Sequence, residues 1–146
     1  MPKKIKAKYD PHKNTQYIKR LHSMANNAID KLLRQKLKNE NYDYIIELMQ
    51  LKVNGLKIII NKKLQSTIAM AYVKYYKNKI HKAYIEVNPI MFEYGIKFRK
   101  EIMTHELAHC WDFYIRKDSN HDKLWKNLHK EFKGTATRLI NMALYE

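Results

Sequence analysis

The sequence predicts an α+β fold: an N-terminal helix, a small three-stranded antiparallel sheet, and two further helices. Three observations carry this. Apolar residues recur at helical spacing over residues 14–39. Three short stretches between residues 56 and 87 are rich in Ile, Val and Tyr. A second helical stripe then runs through residues 97–116 and continues, after a break, toward residue 132. At 146 residues and 17.7 kDa the chain suits one domain with a genuine core.

The elements follow in order. Residues 1–13 carry many lysines and two prolines and read as a basic arm, leaving residues 14–146 as a single domain. Asn14 or Thr15 is placed to cap the first helix. Ile18, Leu21, Ala25, Ala28 and Leu32 form its apolar face, widened by Ile29 and Leu33, and it should end near Asn39. A shorter helix is expected to hold Tyr44, Ile45, Leu48 and Met49. Asn54-Gly55 signals a turn, after which Leu56 to Ile60 reads as a strand. Thr67 to Tyr76 is a second strand. Lys77-Asn78-Lys79 turns the chain, and Ile80 to Val87 is a third strand ended by Asn88-Pro89. Phe98, Ile102, His105, His109 and Phe113 share one helical stripe, and Met103, Leu107, Cys110 and Tyr114 the next. Asp118-Ser119-Asn120 breaks that helix. Another should start near His121 and carry Leu124, Trp125, Leu128 and Phe132, with Gly134 as its stop and a last helical turn toward Glu146.

Composition narrows the function classes. Hydrophobic residues make up 45% of the chain, too many for a disordered one. No apolar run approaches the roughly 20 residues of a membrane span, and the start lacks the apolar core of a secretory signal. A single cysteine, Cys110, excludes an internal disulfide framework or a four-cysteine zinc ribbon within this chain. An intracellular protein without membrane association is expected. The net charge of +15 is uneven: residues 1–82 hold 19 basic and five acidic side chains, against ten and nine in residues 83–146. A basic half of this kind attracts polyanions and suits non-specific contact with DNA. The excess is mostly lysine, a hydrated point charge less suited than arginine to bidentate reading of bases. Tyr72, Tyr75, Tyr76 and Tyr84 fall among these lysines, an arrangement that suits stacking on single-stranded bases as well as simple sheet packing.

The chemistry lies in His105-Glu106-Leu107-Ala108-His109, an H-E-x-x-H motif inside the expected helix. Side chains four apart on a helix lie on one face about 6 Å apart along the axis, so both imidazoles can reach one metal ion. Glu106, beside the first ligand, can take a proton from a zinc-activated water and pass it to a leaving amine. A catalytic zinc needs a third protein ligand and an open position. The candidates are His121, His129, Glu131 and Asp112. His121 is favoured, because a bend after the motif helix lets the chain fold back over the metal. Asp112, one turn beyond His109, is better placed to orient a ligand. His129 reads as a surface or helix-packing residue and Glu131 as solvated. Cys110 reads as a buried structural thiol rather than a nucleophile.

With these residues in view, the chain resembles the SprT-like metallopeptidase domain, the family that includes the Spartan proteases of DNA–protein crosslink repair. The resemblance runs from about Tyr17 to Lys133. It rests on Asn61 to Ala71, on Tyr84-Ile85-Glu86-Val87-Asn88-Pro89, and above all on His105 to His109 followed by Asn120-His121 and Trp125. It implies a small zincin-like α+β fold, zinc bound by His105, His109 and His121, and Glu106 as catalytic base. It also implies a protein substrate, including protein associated with DNA. Asp122 stands after His121 where the family often has glycine, and the cysteine ribbon of many members is missing here. Rival readings are a nucleic-acid-binding module with a structural zinc, and a metal hydrolase acting on something other than peptides.

Overall fold

The computed structural model describes residues 8–137. Four helices and one sheet alternate in the order α1 (Asn14–Lys38), α2 (Ile45–Asn54), β1 (Leu56–Ile60), β2 (Ala69–Tyr76), β3 (Lys79–Val87), α3 (Ile96–Arg116) and α4 (Lys123–Glu131). Short 3-10 turns at Pro11–Lys13 and Pro89–Glu93 precede α1 and α3. Residues 1–7 of the basic arm and the last helical turn expected toward Glu146 lie outside the described residues. No helix among the described residues is long and apolar enough to cross a membrane.

α1 starts where expected, but neither Asn14 nor Thr15 caps it. The 3-10 turn runs straight into the helix, and Asp10 accepts from the His12 backbone N–H instead. The Asn14 side chain accepts from the Tyr9 hydroxyl at 2.6 Å. Tyr9 stacks near Tyr17 and Phe92, so this stretch packs on the body of the domain. The buried face of α1 includes the expected Leu21, Ala25, Ile29, Leu32 and Leu33, with Ile18 and Ala28 only partly buried and Tyr17 and Lys36 buried beside them.

The sheet is mixed, not wholly antiparallel. Its order is β1-β3-β2, with β1 parallel to β3 and β2 antiparallel to it. The physical reason is the connection of residues 61–68. It carries the chain from one edge of the sheet to the other, and the hairpin then returns β3 between the two earlier strands. Strand propensity marks which residues are extended but says nothing about which strand lies in the middle. The hairpin closes through Lys77 and Asn78, both at positive φ, the two-residue turn whose twist matches its strands. Ile58 on β1, Ala83, Ile85 and Val87 on β3, and partly Ala71 and Val73 on β2 face the core.

Asn88 fixes the corner that leads to the motif helix. Its backbone N–H donates to Ile68, its amide nitrogen donates to the Leu64 carbonyl, and its side-chain oxygen accepts from Ile90. The segment entering β2 and the exit of β3 are thereby tied to one residue. α3 is buried nearly all round, from Phe98 through Met103, Leu107, Ala108 and Trp111, because the sheet and the other three helices all pack against it. Such a helix is a rigid mount for side chains that must converge.

α4 ends in a Schellman arrangement, with Lys133 N–H donating to Lys130 and Gly134 N–H to His129. The left-handed residue there is Lys133 rather than the expected Gly134. Gly134 is required for a different reason: the imidazole of His129 fills the space a Cβ would occupy.

Candidate metal centre

α3 presents His105 and His109 on one face, and the bend after it returns His121 to the same point. His121 Nε2 lies 3.2 Å from His105 Nε2 and 3.0 Å from His109 Nε2. Four bonds of 2.0–2.1 Å in a tetrahedron would separate ligand nitrogens by about 3.3 Å. The three histidines therefore form a cluster that can hold a metal ion.

Proton counting sharpens this fit. His109 Nδ1 lies 2.6 Å from Ser119 Oγ, and the Ser119 hydroxyl donates to Asp112 Oδ2 at 2.8 Å. The one hydroxyl proton is thus committed, so His109 Nδ1 carries a proton and donates, leaving its Nε2 bare. No assignment of neutral rings then gives both close nitrogen contacts a proton of their own. A proton on His121 Nε2 can serve His109, but that nitrogen then cannot accept from His105. A cation facing all three lone pairs removes the conflict. His105 Nδ1 is buried with no hydrogen-bond partner, a cost that ligation through Nε2 helps to offset.

The electrostatics favour neutral, ligating rings. Burial, then the neighbouring imidazoles, lower the His105 and His109 pKa values to about 3. Both rings are therefore neutral near pH 7, as ligation requires. Glu106 follows His105 on the same helix and is buried, and burial alone pushes its carboxyl up to about 8. The three histidines and Glu106 line a cleft of about 800 Å³ together with Ser66 to Ala71, the entry to β2.

Trp125 is the packing partner of the cluster. Its ring centroid lies 4.6 Å from that of His105, 5.1 Å from His109 and 4.7 Å from His121. Its indole N–H points to the His105 carbonyl at 3.4 Å. Asp122 sets the register of this tryptophan by capping α4, accepting from the Trp125 backbone N–H.

The other third-ligand candidates are engaged elsewhere. His129 is fully buried, not at the surface. Its Nδ1 accepts from the Ala136 N–H, so its Nε2 carries the proton and donates to Thr104 Oγ1 at 3.1 Å. That tautomer has no lone pair for a metal. Glu131 is not simply solvated: it pairs with the buried Lys36 ammonium at 2.7 Å. Asp112 is fully buried and gripped through two oxygens by Arg116, and it reaches His109 only through Ser119. Cys110 is buried, and burial pushes its thiol pKa well up, so it is no nucleophile at neutral pH. Sequence reasoning missed Ser119 and Arg116. Ser119 stood only as part of a helix break, and a serine two residues before a candidate ligand carries no pattern of its own.

A central helix bearing two histidines, a third histidine from the following bend and an adjacent buried carboxyl define a metallopeptidase-like domain. The chain matches the SprT-like family over residues 21–144, and it belongs to that family. No curated protein and no solved structure matches it.

The ligand roles separate by substitution. Alanine at His121 should abolish retention of metal by the purified protein. His129→Ala should retain metal while costing about 1–3 kcal/mol of stability, because Thr104 and the Ala136 N–H lose their partner. Elemental analysis and thermal melting of both variants read the two effects, and the reverse pattern would reassign the third ligand.

Proposed function

We propose that the protein is a zinc-dependent endopeptidase of zincin-like fold, with His105, His109 and His121 holding the ion and Glu106 as general base. The observation that carries this reading is the convergence of the three ring nitrogens beside a buried carboxyl in an open cleft. Zinc accepts three neutral imidazoles and, when bound, supplies a Lewis acid that polarises a carbonyl and lets water lose a proton near neutral pH. Glu106 accepts that proton and returns it to the leaving amine. Burial alone disfavours the ionised Glu106 that this role needs, and a cation held beside it would favour the carboxylate again.

The cleft also suits an extended peptide. β2 is the outer strand of the sheet on this side, and Ala69 to Ala71 line the same cleft as the histidines. Among the described strands only β3 pairs with it, so its other edge offers backbone groups for strand addition. A substrate seated there would run along the cleft past Glu106.

Non-specific contact with DNA is the second part of the proposal, and proteins associated with DNA are the substrates it favours. Its support is the charge of the first 82 residues and the outward face of the sheet. There Tyr72 stacks on Tyr84 with centroids 5.2 Å apart, and Lys74 lies over the Tyr84 ring. Lys57 and Lys82 share that face by register.

Glu106→Gln should keep its metal and lose cleavage of casein or histone by at least about 100-fold. Wild-type cleavage should stop on chelation and return with zinc. Unchanged function in Glu106→Gln, or a chelator-sensitive fold with no hydrolysis by wild type, would favour a structural zinc in a binding module. In a separate anisotropy titration, fluorescent single-stranded DNA should bind with an affinity that falls steeply as salt rises. Absence of binding at low salt would remove the DNA half of the proposal and leave the peptidase half standing.

A further inference from the structure

We infer that Ser119, backed by Asp112 and Arg116, is a positioning residue of the metal centre: it holds His109 in its ligating tautomer and closes the bend that delivers His121. The inference rests on the three-histidine reading given above and adds the device that makes a loop histidine a usable ligand.

The network is continuous. His109 donates to Ser119 Oγ at 2.6 Å, and Ser119 donates to Asp112 Oδ2 at 2.8 Å. Arg116 binds both oxygens of Asp112, at 2.7 and 2.8 Å, and both oxygens of Asp122, each at 2.7 Å. One guanidinium thus joins the last turns of α3 to the cap of α4, with the bend of residues 117–122 between its two partners. Its planar fork can serve two carboxylates at once, which an ammonium does not reproduce.

Two consequences follow for the ligands. Asp112 is wholly buried, and as a carboxylate it offers only acceptors. The Ser119 proton must therefore point toward it, and His109 Nδ1 must be the protonated nitrogen. Rotation of the His109 ring, or transfer of its proton to Nε2, would break a buried hydrogen bond. His121 sits two residues after Ser119 and immediately before Asp122. Both of its flanks are thus anchored to α3, which lowers the ordering cost a loop ligand would otherwise impose on binding. Ligands fixed in this way commonly account for about 10- to 100-fold in metal affinity.

The test uses the whole chain and two readouts that need no catalysis. Zinc affinity is measured by competition with a chromophoric chelator for wild type, Ser119→Ala and Ser119→Thr. Ser119→Ala should bind zinc about 10- to 100-fold more weakly, with the metal-free melting temperature near that of wild type. Ser119→Thr keeps the hydroxyl and should recover most of the loss. In the metal-free wild type, histidine ¹⁵N shifts should place the His109 proton on Nδ1. Wild-type affinity in Ser119→Ala, or a His109 proton on Nε2, overturns the inference. Should Ser119→Ala fail to fold, the tautomer measurement on wild type still decides. Wild type that binds no zinc at all would instead remove the metal reading, whereas tight wild-type binding with an indifferent Ser119 leaves that reading intact.

Discussion

Two ring nitrogens at 3.0–3.2 Å share a proton or repel, and around His121 there are two such contacts with no proton available for each. That deficit originates outside the cluster, in the buried carboxylate of Asp112, which claims the Ser119 hydroxyl and so fixes the His109 tautomer. The three imidazoles form a cluster that can hold a cation. Burial contributes as well. It lowers the His105 and His109 pKa values, so these two rings meet a cation as neutral donors.

Holding the cluster needs a rigid mount and a closed bend. α3 provides the first, since it is enclosed by the sheet and the other helices. Trp111 anchors it to α2 through an indole N–H that reaches the Tyr44 carbonyl. Trp125 provides packing on all three imidazoles at once. Behind it, His129 links Thr104 on α3 to the chain after α4, and Glu101 accepts from both the N–H and the hydroxyl of Thr135. His129 is thus the counterpart of the cluster histidines: the same side chain type one layer deeper, with both nitrogens spent on structure.

Much of this was legible in the sequence, for physical reasons that differ by element. α1 and α3 announce themselves through apolar residues at helical spacing, and β1 through Leu56 to Ile60, whose bounds agree with the structure. The H-E-x-x-H spacing places two imidazoles on one helical face whatever surrounds them. What the sequence withheld depends on tertiary neighbours. The middle position of β3 follows from the path of residues 61–68, which leaves no mark on strand propensity. The burial of His129 depends on Gly134 and Ala136 closing over it, and its spacing from His109 is equally compatible with a ligand or a surface residue. Arg116 reads as an ordinary basic residue near a helix end, since its two aspartates are four and six positions away and only the bend brings the second to it.

A single metal held by three imidazoles is open to X-ray absorption at the zinc edge on protein loaded with one equivalent. The first shell should be nitrogen and oxygen at about 2.0–2.1 Å, with the outer-shell scattering of three imidazole rings and no sulfur. A shell containing sulfur, fewer than three imidazoles, or no zinc retained at one equivalent would contradict it.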